Sequence, residues 1–393
     1  MRPSKRLDSI GFSVIRKVFE RASALERSGR SIVHMEVGRP DFDTPEHIKQ
    51  AAKEALDRGM VHYTSNYGLL ELREAIAAKL EQDNGLSYAA DGEILVTIGV
   101  AEALYLAITG WSDPGDRIVV FEPTWANYVN APVMLGLSVE RVPLRLVEPV
   151  RFDLERLEDH ISPRTRLILL ASPQNPTGAM LHQDDLEAIA AIALRRDLVV
   201  ISDEIYEKIV YDGNRHVSIA SLPGMRERTL VLNGFSKAYS MTGWRLGYVA
   251  ASRELLAPLL RAHQNLVTCA CSFGQVGAIA ALRGSQDCVA TMVAEFRRRR
   301  DRVVSRLNEM PHVSCAMPPG AFYAFPDVSS FPLPSDELAW YLLEEAGVAV
   351  VPGEAFGEGG RGHLRISFAC AYDDLVDGLD RMAEALLKLK DQA

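Results

Sequence analysis

From residue 94 onward, short runs of aliphatic and β-branched residues alternate with longer stretches whose apolar positions fall three and four apart. The short runs, at 94–98, 117–121, 139–142, 167–171, 198–202, 229–233 and 246–250, predict strands. Several are apolar at every position rather than every second one, the pattern of strands covered on both faces by crossover helices. Beyond about residue 285 the rhythm changes. Val293, Phe296, Val303, Val304 and Leu307 mark one face of a long amphipathic helix, and short strand patterns follow near 321–325, 348–351 and 363–367 before a terminal helix. The prediction is an α/β chain with a large domain over 41–285, built on a mostly parallel seven-stranded sheet covered by helices, and a smaller α+β domain over 286–393. Residues 1–40 are assigned to an N-terminal arm that completes the small domain. Residues 262–282 lack Asp, Glu, Lys and Arg and read as one buried helix, because Gln264, Asn265, Thr268, Ser272 and Gln275 oppose a membrane span.

Composition narrows the function classes. At 393 residues the chain exceeds the size at which a single core keeps growing, and 48% hydrophobic with 24% charged residues is ordinary for a globular protein. A net charge of -9 opposes a nucleic-acid partner, and the single basic run, Arg297 to Arg300, reads as a solvated face of the predicted helix. Five cysteines, an odd count at irregular spacing with no CxxC pair, suggest reduced thiols in the cytoplasm and no structural disulfide, and no metal ligands are assigned. Residues 1–7 are basic without an apolar core, so no secretory signal is expected. No GxGxxG follows an early strand, which disfavours a dinucleotide-binding dehydrogenase.

In a parallel sheet, ligands bind outside the carboxyl ends of the strands, so the residues just after each predicted strand are the candidates. Lys237 stands there, within Gly234-Phe-Ser-Lys-Ala-Tyr-Ser-Met-Thr-Gly-Trp-Arg-Leu-Gly247, and taken alone is either a surface lysine in a turn or an amine that meets a ligand. Asp203 closes the 198–202 run and either caps a helix or meets a cation. Asn175 lies in Ser172-Pro-Gln-Asn-Pro-Thr-Gly178, by itself only a turn signal. The segment from Thr97 through Gly99 to Val100 and Ala101 passes from strand to helix, whose free N–H groups suit an anion. Trp125 is either a core residue or a stacking surface, and Arg365, inside a strand pattern, is either paired internally or clamps a carboxylate.

Taken in order, these segments resemble the class I and II aminotransferases of the fold-type I pyridoxal-phosphate enzymes, over essentially the whole chain. The resemblance implies pyridoxal 5'-phosphate held as a Schiff base on Lys237, and exchange of an amino group between an L-amino acid and a 2-oxo acid by a ping-pong mechanism. It implies that Asp203 pairs with the pyridine nitrogen and that Tyr206 and Asn175 bond the phenolic oxygen. Trp125 would stack on the ring, while Val100, Ala101, Ser236 and Arg245 would hold the phosphate with Tyr63 from a second subunit. Arg365, Asn175 and the backbone at Gly38 would bind the substrate carboxylate. A homodimer with shared sites follows, as does the absence of membrane and nucleic-acid partners. Many aspartate-specific relatives carry, near the position of Ala101, a lysine that this chain lacks; Arg39 is either a substitute anion contact or a member of a surface or interface pair. The same residues also serve lyases, cyclases and oxidases of this fold, which stand as the alternative.

Overall fold

The computed structural model describes residues 4, 7, 8, 10–146 and 150–391. Its strands in chain order are β1 (Val33–His34), β2 (Ile94–Thr97), β3 (Arg117–Glu122), β4 (Ser138–Arg145), β5 (Arg151–Phe152), β6 (Thr165–Ala171), β7 (Val199–Asp203), β8 (Thr229–Gly234), β9 (Gly247–Ala250), β10 (Tyr323–Ala324), β11 (Val348–Ala349), β12 (Val351–Pro352) and β13 (Leu364–Ser367). Eight of them form one sheet in the order β2-β9-β8-β7-β6-β3-β4-β5. The pairs from β8 through β7, β6 and β3 to β4 are parallel, and β9 runs antiparallel to both β8 and β2. All seven predicted strands are present. The eighth, β5, is a two-residue antiparallel edge too short to leave a periodic signal.

The uninterrupted apolar runs work because both faces are covered. On one face Ile118, Val120, Leu167, Leu169, Ile201 and Leu230 pack with the helices Gly99–Trp111 and Arg253–Leu266. Alternate residues of the same strands, Val119, Phe121, Ile168, Leu170 and Val200, pack on the opposite face beneath the helix Gln183–Arg196. Each such fully buried side chain contributes about 1.5–3 kcal/mol. A second core gathers Phe296, Val303 and Leu307 of the helix Asp287–Asn308 with Phe322, Tyr323, Val348, Ile366, Leu375 and Met382. Val33 and Met35 join that core, β1 pairs in parallel with β11, and the helix Val14–Arg27 buries Val18, Ala22 and Leu25 near Leu343 and Ala349.

Two expectations need correction. Residues 262–282 are not one helix: one ends at Leu266 and the next begins at Ser272. Thr268 between them takes a left-handed φ of 70°, and its carbonyl accepts a hydrogen bond from Asn66, so polar contacts outside the helix hold the break. The basic run is not wholly solvated either. Arg299 and Arg300 are buried and ion-paired, to Asp41 and Glu295 and to Asp212 and Asp301 respectively, while Arg297 and Arg298 are exposed. Burial is tolerated there because each guanidinium meets two carboxylates. Among the described residues, no helix is long and apolar enough to cross a membrane.

Candidate active site

The carboxyl ends of β2, β3, β6, β7 and β8 and the start of β9 share one edge of the sheet. That single fact collects Val100 and Ala101 after β2, Trp125 after β3, Asn175 after β6, Asp203 at the end of β7, Ser236 and Lys237 after β8, and Arg245 before β9. From the other core, the segment after β1 and the strand β13 reach the same place. The Lys237 amine donates to the Gly38 carbonyl at 2.6 Å, and Arg365 donates to the Glu36 carbonyl and, at 3.2 Å, to Asn175 Oδ1.

Electrostatics sharpen this cluster. Burial, reinforced by the positive charges of Arg365 and Arg245 and opposed by Asp203, pulls the Lys237 amine down to about 8. Asp203 is 3% exposed, and burial lifts its carboxyl to about 6 against the pull of two donors. Those donors are the Tyr128 hydroxyl on Oδ2 at 2.7 Å and the Ile205 N–H on Oδ1 at 3.1 Å. Arg365 is 1% exposed, lies 4.7 Å from the Tyr323 ring centre and 4.9 Å from that of Phe356, and leaves Nε without a partner. Among the described residues no acidic side chain is in salt-bridge contact with it, and the buried Glu36 carboxylate acts on it only through space. A buried cation in this state is best offset by an incoming carboxylate.

At the other end, the helix Gly99–Trp111 starts with no side-chain cap, leaving its first N–H groups free. Gly99 has a φ of 73°, and a Cβ there would stand 2.9 Å from the Arg245 guanidinium, so glycine is what lets the arginine lie across this helix start. Val100, Ala101 and Ser236 are half-buried beside it, and Arg245 is exposed with one N–H on the Thr242 carbonyl. Trp125 meets Tyr128 edge to face at 5.3 Å. Tyr63 is 86% exposed and is not drawn into the cluster within one chain; Arg39 is exposed as well.

Sequence reasoning missed three contributors. Tyr128 lies three residues after Trp125 at the start of the helix Asn127–Met134, and that i,i+3 spacing was the available signal. Tyr323 shares a 2.7 Å hydroxyl–hydroxyl hydrogen bond with Tyr206, and a Cβ on Gly38 would run into its oxygen. Phe356 sits on Arg365 from a region that reads only as a glycine-rich loop. Tyr206 itself is buried and its phenol is pushed well above the ordinary range by burial, then by Tyr323.

These groups suit a molecule with a phosphate at one end, a ring base near Asp203 and a carbonyl carbon near Lys237. The free helix N–H groups and Arg245 match an anion, the Asp203 carboxylate matches a protonated ring nitrogen, and Arg365 retains an unused donor for a second, carboxylate-bearing molecule. Pyridoxal phosphate with an amino acid has this chemistry.

Comparison with known proteins agrees. Residues 30–384 match the family described as aminotransferase class I and II. The chain is 42% identical to aromatic-amino-acid aminotransferase 2 of Thermococcus litoralis, over 98% of this chain and 99% of that one. It is also 42% identical to the aspartate aminotransferase of Pyrococcus abyssi, over 99% and 100% of the two chains. The solved aspartate aminotransferase of Rhizobium meliloti superposes with a TM-score of 0.94 at 39% identity, covering 99% of this chain and all of that one.

Proposed function

The chain belongs to the class I and II aminotransferase family, and from that premise we propose that its amino-group transfer is centred on Lys237. It is a pyridoxal-phosphate-dependent transaminase, moving an amino group between an amino acid and a 2-oxo acid. Bound pyridoxal phosphate supplies a carbonyl carbon that takes up the amino group and a ring that withdraws electrons from the substrate Cα.

Lys237 would hold the cofactor through its side-chain amine, and that amine would serve as the base that moves the substrate Cα proton. An amine lowered to about 8 by burial is neutral in about a tenth of molecules at pH 7, far more often than an ordinary lysine, and a base acts in that form. Asp203 holds a proton on the ring nitrogen, with Tyr128 and Ile205 fixing its oxygens. Tyr206 and Asn175 would donate to the cofactor's phenolic oxygen, and Trp125 would pack against its ring. Val100 and Ala101 through their N–H groups, with Ser236, Arg245 and the partner-supplied tyrosine equivalent to Tyr63, hold the phosphate. Arg365, Asn175 and the Gly38 backbone clamp the substrate carboxylate and so orient the Cα–H bond. The observation that carries this reading is the convergence of the Lys237 amine and the Arg365 guanidinium, with its unpartnered Nε, on the carbonyls of Gly38 and Glu36, two residues apart.

The division into 1–40, 41–285 and 286–393 is part of the same proposal, supported by separate cores around the large sheet and around β10-β13-β12. A homodimer with shared sites is supported by the exposure of Val61, Tyr63 and Leu266, whose segments are tied together by the Asn66–Thr268 and Ser272–Met60 hydrogen bonds. Five free cysteines accord with a reducing cytoplasm. The test is a half-reaction: the purified enzyme, given an amino acid and no acceptor, releases one 2-oxo acid per site and no ammonia. Catalytic release of ammonia would instead assign it to a lyase.

A further inference from the structure

Behind Asp203 lies a second set of buried charges for which the transfer reaction has no use. Strand alternation sends Asp203 toward Tyr128 and the cluster described above, and sends its neighbours Ser202 and Glu204 to the reverse face. There Glu204 is 0% exposed; its Oε1 accepts from the Ser202 hydroxyl at 2.8 Å and the Ser218 hydroxyl at 2.6 Å, and its Oε2 lies 3.0 Å from His216 Nε2. The His216 ring is buried, and neither ring nitrogen nor Glu204 Oε2 has a well-directed hydrogen bond. Close by, Glu207 is paired with Lys79 and accepts from Asn84 at 2.7 Å, both from the helix Leu70–Asn84. Tyr88 and Tyr248 also face these carboxylates.

Glu204, Glu207 and His216 have the ligand types of a metal site, with donor atoms within 4.8 Å of one another. Lys79 and Asn84, however, already occupy both oxygens of Glu207, and the ammonium supplies the positive charge that an ion would bring. The arrangement is therefore charge-balanced from within: Glu204 against His216, Glu207 against Lys79. Burial alone would keep the imidazole neutral, but Glu204 and then Glu207 raise its proton affinity above the ordinary value.

We propose that Glu204 and His216 form a positioning couple for Asp203, fixing the end of β7 from behind and balancing the charge next to the acid that serves the cofactor. The inference rests on the reading of Asp203 as that acid. Both neighbours of Asp203 are pinned, Ser202 through its hydroxyl and Glu204 through two hydroxyl donors and the ion-pair contact with His216, so the carboxylate between them is held at a fixed place. Its charge is set from both sides: Tyr128, the Ile205 N–H and Lys237 favour the anion, and Glu204 opposes it. His216 limits that opposition by pairing with Glu204, which retains two hydroxyl donors even when the imidazole is gone. Removing the cation and removing the anion should therefore act on Asp203 in opposite directions, which a general loosening of the fold would not do.

The experiment follows the protonated-carboxyl infrared band of Asp203 in the full-length, cofactor-free chain, identified as the band missing from Asp203→Asn. In His216→Gln the pH midpoint of this band should rise by about half a unit or more, in Glu204→Gln it should fall by a similar amount, and in the double variant it should return near the wild-type value. No movement, or movement of both single variants in one direction, overturns the proposal. If the single variants fail to fold, the wild type still decides. The ring nitrogen resonances of His216 should step at the pH where Asp203 ionises, and the step should vanish in Asp203→Asn; its absence from the wild type overturns the coupling. Pyridoxal phosphate retention by Asp203→Asn separates the two layers. Undiminished retention removes the reading of Asp203 as the cofactor's acid, whereas weakened retention with unmoved bands removes only the couple.

Discussion

Replacing Tyr128 with phenylalanine isolates one hydrogen bond in the proposed cofactor site. The hydroxyl donates to Asp203 Oδ2 at 2.7 Å inside the core, and the carboxyl it stabilises is already lifted to about 6 by burial. A hydrogen bond to a charged group contributes about 1.5–3 kcal/mol, and about 1.4 kcal/mol corresponds to one pKa unit. Because the Ile205 N–H remains on Oδ1, the lower end applies, and the carboxyl should rise by about one unit, to roughly 7. The sign is fixed. An acid raised further holds its proton more tightly, so the anion that a ring N–H needs is present above this midpoint and lost as pH falls through it. Titrating cofactor-free protein with pyridoxal phosphate between pH 5 and 9, read by quenching of tryptophan fluorescence, should show the acid-side loss of affinity about one pH unit higher in Tyr128→Phe than in wild type. Lys237 and the ligand's own phosphate titrate in both proteins, so the displacement reports on Asp203. Coincident curves would refute the reasoning.

Three further outcomes follow from the structure. Arg365→Lys keeps the charge but loses the planar pair of donors, costing about 2 kcal/mol and raising KM for the amino acid roughly 30-fold with a smaller change in kcat; steady-state kinetics with an unchanged KM would contradict the clamp. Lys237→Ala and Tyr63→Ala homodimers should each be impaired, but refolding them together should restore activity, because each hybrid carries one wild-type site; a mixture no better than its parts counts against shared sites. His34 is lifted to about 9 by its hydrogen bond to Glu36, then by Glu26, against burial. A raised histidine gives stability that is fully present below 6.5 and lost as pH rises through 9, so His34→Gln should lower unfolding free energy by about 1–2 kcal/mol at pH 6, allowing for the partial exposure of the pair, and by almost nothing at pH 10.

Much of this arrangement was legible because the sheet is parallel. Continuous apolar runs located β2, β3, β6, β7 and β8, and the rule that ligands gather at their carboxyl ends made Asp203 and Lys237 candidates, while only the family resemblance separated Lys237 from a surface lysine. Tyr323 escaped because its importance depends on Gly38, nearly three hundred residues away, approaching close enough to exclude a Cβ. The break at Thr268 escaped because a left-handed threonine leaves no periodic trace, and the buried Arg299 and Arg300 because charge patterning cannot reveal that Asp41 and Asp212 fold over them. Tyr63 is exposed, and the contact proposed for it, with a second subunit, lies outside a single chain.

The central claim is that one amine, Lys237, carries the cofactor. Holoenzyme reduced with borohydride and digested should yield a single phosphopyridoxyl-modified peptide, the one containing Lys237, and Lys237→Ala should yield none. Label recovered on any other lysine, or cofactor recovered wholly free after reduction, would contradict the account.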